Sequence, residues 1–261
     1  YREHGKLNDA LFYVNKAITF GSEHIILAYM ERGLIFSRLG NNSDAIKDYS
    51  TVIEKTESKE NNLFSEDPSF RNLYLGDLYF RRGYLYGNLG KYAEAIKDYD
   101  KAIYLNPTSA LVYNNRGSYY YRLGKYNEAI KDYDKAIELD PSYAEAYFGR
   151  GSSCRDYKEA IKYYDKTIAL NPNHADAYYN RAKAYYELHD YRQAINNYDN
   201  SIKLNPNESD AYLGRGTAYY ALQNYEQAIK DCDKAIELNP KYTKAYLGRG
   251  YANYMLHKYQ L

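Results

Sequence analysis

Residues 110–143 read ALVYNNRGSYYYRLGKYNEAIKDYDKAIELDPSY. Val112, Tyr113, Tyr120 and Leu123 recur at helical spacing, and Gly124-Lys125 breaks the pattern. A second stripe follows at Tyr126, Ala129, Ile130, Tyr133, Ala136 and Ile137, offsets 0, 3, 4, 7, 10 and 11, which make one face of an amphipathic helix. Asp140-Pro141 ends it, because proline has no N–H to donate and pushes the residue before it out of the helical region. The stretch predicts helix, tight turn, helix, stop.

Outward from this stretch the same text returns. Leu-Asn/Asp-Pro stands at 105–107, 139–141, 170–172, 204–206 and 238–240, at spacings of 34, 31, 34 and 34 residues. A fixed period of this size means copies of one small unit, each stacked on its neighbours, instead of a globule around one core. Full repeats are expected at 26–59, 76–109, 110–143, 144–174, 175–208 and 209–242, with half repeats at 1–25 and 243–261 and an insertion at 60–75. The fold class is therefore all-α, a single α-solenoid array over 1–261 with fourteen helices. The chain opens and closes within a repeat, so either a longer array is expected or ends that associate with another molecule, including a second copy.

Two slots suggest how each helix pair nests. The first helix carries Gly33, Gly83, Gly117, Gly151, Ala182, Gly216 or Gly250 at mid-length, and the second carries Ala45, Ala95, Ala129, Ala160, Ala194 or Ala228. Glycine inside a helix costs about 1 kcal/mol against alanine, so its recurrence implies close backbone approach. Small facing small, with tyrosine filling the space on either side, is the expected packing.

Tyr113, Gly117, Tyr120, Ala129, Tyr133, Ala136 and Pro141 stand at the spacing of the tetratricopeptide repeat (TPR) signature, and the chain resembles a TPR array along most of its length. It departs in having no Trp: Tyr29, Tyr79, Tyr113, Tyr147, Tyr178, Tyr212 and Tyr246 fill the usual Trp slot. The resemblance implies a right-handed superhelix of antiparallel helix pairs, with first helices on the concave side. It also implies that a partner is gripped by first-helix residues pointing into the groove. Here these are Phe80, Tyr84, Asn114, Asn115, Ser118, Tyr121, Arg122, Phe148, Tyr179, Asn180, Lys183, Tyr186, Leu213, Tyr220, Leu247 and Tyr251. Aromatic anchors give contact area at low entropy cost and amides can pair with peptide backbone, so a partner protein or peptide segment is expected, centred on Phe148, Tyr179, Lys183 and Tyr186. The lysine clamp by which one subclass of the family holds acidic chaperone tails is missing, because its first slot carries Met30, Phe80, Asn114, Phe148, Tyr179, Leu213 and Leu247. The rival readings are a structural or self-associating array, or the regulatory or substrate-recruiting segment of a larger enzyme.

Three irregularities qualify the repeat. Residues 144–174 lack three residues between Gly151 and Tyr157, so that first helix should end a turn early. In the insertion, Lys59-Glu60-Asn61-Asn62 reads as a loop and Asp67-Pro68 as a helix start, so the next helix should begin about two turns early, with Phe70 and Tyr74 shielding an edge. Arg32, Arg82, Arg116, Arg150, Arg181, Arg215 and Arg249 follow each Trp-slot tyrosine by three, and the second helices carry Asp at two positions two residues apart, as in Asp98-Tyr99-Asp100. Arginine holds carboxylates bidentately, so an ion-pair ladder is expected, with an anion-binding track as the alternative.

Composition and motifs exclude more than they assign. Thirty-five basic against 34 acidic residues, spread along the chain, give no basic stripe for nucleic acid. No apolar run is long enough for a transmembrane helix. His4, His24, His174, His189 and His257 are scattered without metal spacing, and no phosphate loop or nucleophile motif occurs, so no enzyme activity, metal or cofactor is expected. Cys154 and Cys232 lie more than two repeats apart, each in a slot where sister repeats carry Tyr, and should not form a disulfide. That leans towards a reducing compartment such as the cytoplasm; localisation is otherwise unreadable.

Overall fold

A computed structural model describes residues 2–21, 24–58 and 68–260. Among these residues the secondary structure is fourteen α-helices: α1 Arg2–Thr19, α2 Ile25–Arg38, α3 Asn42–Glu57, α4 Pro68–Asn88, α5 Tyr92–Leu105, α6 Ala110–Arg122, α7 Tyr126–Leu139, α8 Ala144–Ser152, α9 Tyr157–Leu170, α10 Ala175–Glu187, α11 Tyr191–Leu204, α12 Ser209–Ala221, α13 Tyr225–Leu238 and α14 Thr243–Gln260. The chain divides into two compact units, Tyr1–Pro141 with α1–α7 and Ser142–Leu261 with α8–α14. Within each unit every helix packs on the next in sequence. Alternate helices also touch, α4 on α6, α10 on α12 and α12 on α14. That pattern is an α-solenoid, with first helices neighbouring one another along one face.

In every pair except α8–α9 the turn between paired helices contains one left-handed residue. Gly124 has φ +72°, and its N–H bonds back to the Tyr121 carbonyl at 2.9 Å; the αL conformation is nearly free for glycine alone. His189 and Gln223 hold the same place in the second unit, at φ 61° and 62°.

In the pairs of Gly83, Gly117 and Gly216 the glycine does come close to the alanine slot of the second helix, through that residue's carbonyl. A Cβ on Gly117 would lie 3.2 Å from the Tyr133 ring and 3.3 Å from the Ala129 carbonyl oxygen. Gly83 meets the Tyr99 ring and the Ala95 carbonyl in the same way, at 3.0 and 3.2 Å. Glycine is therefore required by the second-helix tyrosine and the backbone beside it, not by the alanine side chain. Tyr49, Tyr99, Tyr133, Tyr164 and Tyr198, the tyrosines in this slot, are all buried.

Both length irregularities appear as read. α8 has 9 residues where α6 has 13, and α4 begins at Pro68; Asp67 and the loop at 59–62 lie outside the described residues. The added turns of α4 close the end of α3: Arg71 donates to the carbonyls of Thr56, at 2.6 and 2.9 Å, and Glu57, at 2.9 Å. These oxygens lack partners within their own helix. Tyr74 packs onto the first-unit core, with its hydroxyl on Met30 Sδ at 3.1 Å, while Phe70 is exposed. On α14, Tyr246 and Tyr254 are exposed, and Leu256 is packed against the small cluster of Tyr225 and Ala228 of α13 with Ala252 of α14. No helix of the described residues is long and apolar enough to cross a membrane.

Candidate functional site

The arginines that recur after each Trp-slot tyrosine form the frame for the first-helix face. Arg116 grips Asp132 of its own second helix with two bonds of 2.8 and 2.6 Å, and Asp100 of the preceding one at 2.6 Å. Arg215 does the same with Asp231 and Asp199. The two aspartates of the Asp-x-Asp pair thus have separate duties: the first serves its own repeat at 16 residues, the second the next repeat at 16 residues the other way. Arg82 uses Asp98 and, across the insertion, Ser50; Arg32 uses Asp48 and Asn15. Hydrogen bonds to Asp231, set against the cost of burial, raise the Arg215 guanidinium above its ordinary pKa. These guanidinium groups are engaged, so the ladder is structural and not an anion track.

The ladder changes where the sequence does. Arg181 meets Asp165 at 2.5 Å, but its other partner is the amide oxygen of Asn197 at 2.7 Å. In the short repeat, Tyr163 takes the place of the first aspartate. Arg150 lies over its ring at 4.7 Å and reaches Glu159 at 3.2 Å, so its carboxylate within the second unit is a Glu where an Asp was expected.

In the first unit the expected groove residues are spread over α4 and α6. Phe80 is half-buried, its ring 5.9 Å from Tyr99, and lines a cavity of about 210 Å³ with Leu73, Asp77, Asn106 and Leu111. Tyr84 is exposed; Asn114, Asn115 and Ser118 are half-buried on α6. Tyr121 sits edge-on to Tyr126 at 5.4 Å, and Arg122 lies over the Tyr92 ring at 5.8 Å.

The second unit gathers more of them. A cavity of about 350 Å³ is lined by Tyr179, Lys183, Tyr186 and Leu213, all read from the sequence, with Tyr198, Gly214 and Thr217 and the charged Glu187, Asp210 and Lys244. The Lys183 ammonium stands 5.6 Å from the Tyr179 ring centre. Burial, then Asp210 and Glu208, push the Tyr179 phenol up to about 12. Tyr242 donates its hydroxyl to Asp210. A second cavity, of about 260 Å³, shares Tyr186 and Thr217 and adds Tyr220 and Tyr251. Phe148 stands apart from both, packed on His174 at 4.6 Å between ring centres; His174 also accepts from Ala177 N–H as the α10 cap. Asn180 is half-buried and Leu247 exposed, and neither lines these cavities. Among the lining residues not read from the sequence, Asp210, Tyr242 and Lys244 come from a helix start and an inter-repeat turn. Only the i+34 neighbour relation could have brought them in.

Tetratricopeptide repeat models match residues 179–243 and 219–261, 76–109 and 98–131, and a TPR repeat model matches 117–153 and 155–189. No curated protein sequence matches. Among solved structures, MamA is 31% identical over 62% of this chain and 96% of its own, with a TM-score of 0.56. PilF of Pseudomonas aeruginosa is 19% identical over 87% of this chain and 97% of its own, TM-score 0.69. YrrB, a TPR protein with an unusual peptide-binding site, is 21% identical over 75% and 99%, TM-score 0.56. The last two likenesses are of fold. Repeat models across 76–261 and 31% identity over almost the whole of MamA agree with the helix-pair stack, and the chain belongs to the tetratricopeptide repeat family of generally non-catalytic protein-interaction scaffolds.

Proposed function

We propose that this chain is a non-catalytic module that grips a segment of a partner protein on its first-helix face. In this reading repeats 144–174, 175–208 and 209–242 form the receiving surface, with Tyr179, Lys183 and Tyr186 as its centre. The observation that carries it is the 350 Å³ cavity, where four tyrosines and Leu213 meet charges of both signs. Concave sites with apolar walls and a few polar groups are the usual form of a binding site. Phe148 contributes less than its sequence position suggests, because His174 already covers its ring. YrrB, which shares the fold, has a peptide-binding site; the likeness supports the general mode and no particular residue. The test is selection of binders from a displayed random-peptide library, followed by calorimetric titration into the parent and a Tyr179→Ala/Lys183→Ala variant. A loss of about tenfold or more is expected for a hot-spot pair, with helicity unchanged by circular dichroism. Undiminished affinity in the folded double variant would sink this assignment of the surface.

A further inference from the structure

Five repeats carry a tyrosine at the second-helix slot, and Cys232 stands there in the sixth. The consequence is visible one repeat apart. The far end of the Tyr198 ring lies where a Cβ on Gly214 would be, with its Cζ only 2.5 Å away, so this phenol fills the space between α11 and α12. Thirty-four residues on, the same relation joins Cys232 to Gly248, where the equivalent point is met by the thiol at 3.1 Å and by Leu213 Cδ1 at 3.7 Å, and by no ring. The missing ring leaves the cavity of about 260 Å³. Tyr186, Tyr220 and Tyr251 line it, and the exposed Tyr251 and Thr217 bring it to the surface. Thr217 gives its hydroxyl proton to the Leu213 carbonyl at 2.7 Å, so that proton is not offered to a guest. An apolar cavity of roughly 150 Å³ suffices for benzene.

We infer that this cavity is an anchor pocket for one aromatic side chain of the bound segment, which supplies the ring that the sixth repeat lacks. The inference rests on the groove reading above, since the two cavities share Tyr186 and Thr217. The ring is the occupant because each sister position shows a phenol seated there, buried to within a few per cent.

The test uses the full chain, its Cys232→Tyr variant, which restores the sister residue, and Cys232→Ala, which keeps the pocket open. Cys232→Met is the filler of choice if the tyrosine variant fails to keep its helicity. p-Cresol and toluene, the side-chain analogues of Tyr and Phe, are titrated while the methyl resonances of Thr217 and Ala228 are followed. Saturable shifts are expected in the parent and in Cys232→Ala, weakened about tenfold or more in the filled variant. Absence of shifts in the parent, or equal shifts in the filled variant, overturns the pocket. The library-selected peptides separate this claim from the groove. Peptides weakened by Tyr179→Ala/Lys183→Ala but indifferent to Cys232→Tyr leave the groove standing and overturn the pocket. Peptides weakened only by Cys232→Tyr support the pocket and remove the groove centre.

Discussion

Arg116 shows how one side chain ties two repeats. Its guanidinium is largely covered and Asp132 is almost fully so, so removing the arginine strands a buried carboxylate while also releasing Asp100. Arg116→Gln is expected to destabilise the fold by about 2 kcal/mol, the cost of orphaning a buried partner reduced for screening by nearby water. Arg249, which holds the exposed Asp233 alone, should give a far smaller effect in the same substitution. Urea denaturation followed by circular dichroism compares them, and equal losses would refute the clamp. The arginine and the aspartate pair were legible in the sequence as a recurrence. Their division of labour was not, because it depends on which helix stands 16 residues away in each direction. Cys232 was legible only as a tyrosine slot filled by something smaller; that a surface pocket results depends on Gly248, one repeat later, also being too small to fill it.

At the scale of the helix pair, glycines that look alike in sequence do unlike things. A Cβ on Gly87 of α4 would lie 1.8 Å from the hydroxyl of Tyr119 on α6. The Tyr119 ring cannot simply turn away, since it stacks between Tyr92 at 5.3 Å and Tyr99 at 5.7 Å. Gly250 of α14 occupies the nesting slot of its repeat, yet a Cβ there would meet nothing within 4 Å. Gly87→Ala should therefore cost about 1–3 kcal/mol through overpacking. Gly250→Ala should stabilise by up to about 1 kcal/mol through helix propensity alone. Opposite signs in thermal melts of the two variants are the expected result, and a gain in Gly87→Ala would contradict the packing described. Helix existence, the turn at Gly124 and the early stop of α8 were all readable from spacing. The close approach of the repeat glycines to the alanine slot was readable too; that the tyrosine ring shares the contact was not, because sequence period aligns glycine with alanine alone.

For the whole molecule, the defining choice is tyrosine where aromatic bulk is needed: 37 of 261 residues, with no tryptophan. Apart from the buried Cys232 thiol, pushed up to about 11 by burial, phenols are the core groups among the described residues that titrate in an accessible alkaline range. Burial pushes Tyr74 and Tyr179 up to about 12, and raises Tyr49, Tyr119, Tyr186, Tyr133 and Tyr198 as well. The unfolded chain releases these protons near pH 10, while the folded chain holds them. The neutral phenols therefore contribute stability that is fully present below pH 10 and is lost as pH rises from 10 towards 12. Each phenol held neutral steepens the loss by on the order of 1 kcal/mol per pH unit, less where solvent reaches the ring. Melting temperature should be flat between pH 8 and 9.5 and fall steeply above 10, with tyrosinate absorbance at 25 °C rising in step with the loss of helical signal. Only phenols give tyrosinate absorbance, so the coincidence of the two signals identifies them. Titration of all the tyrosines near pH 10 with helix content intact would show that the rings, though buried, do not couple their ionisation to the fold.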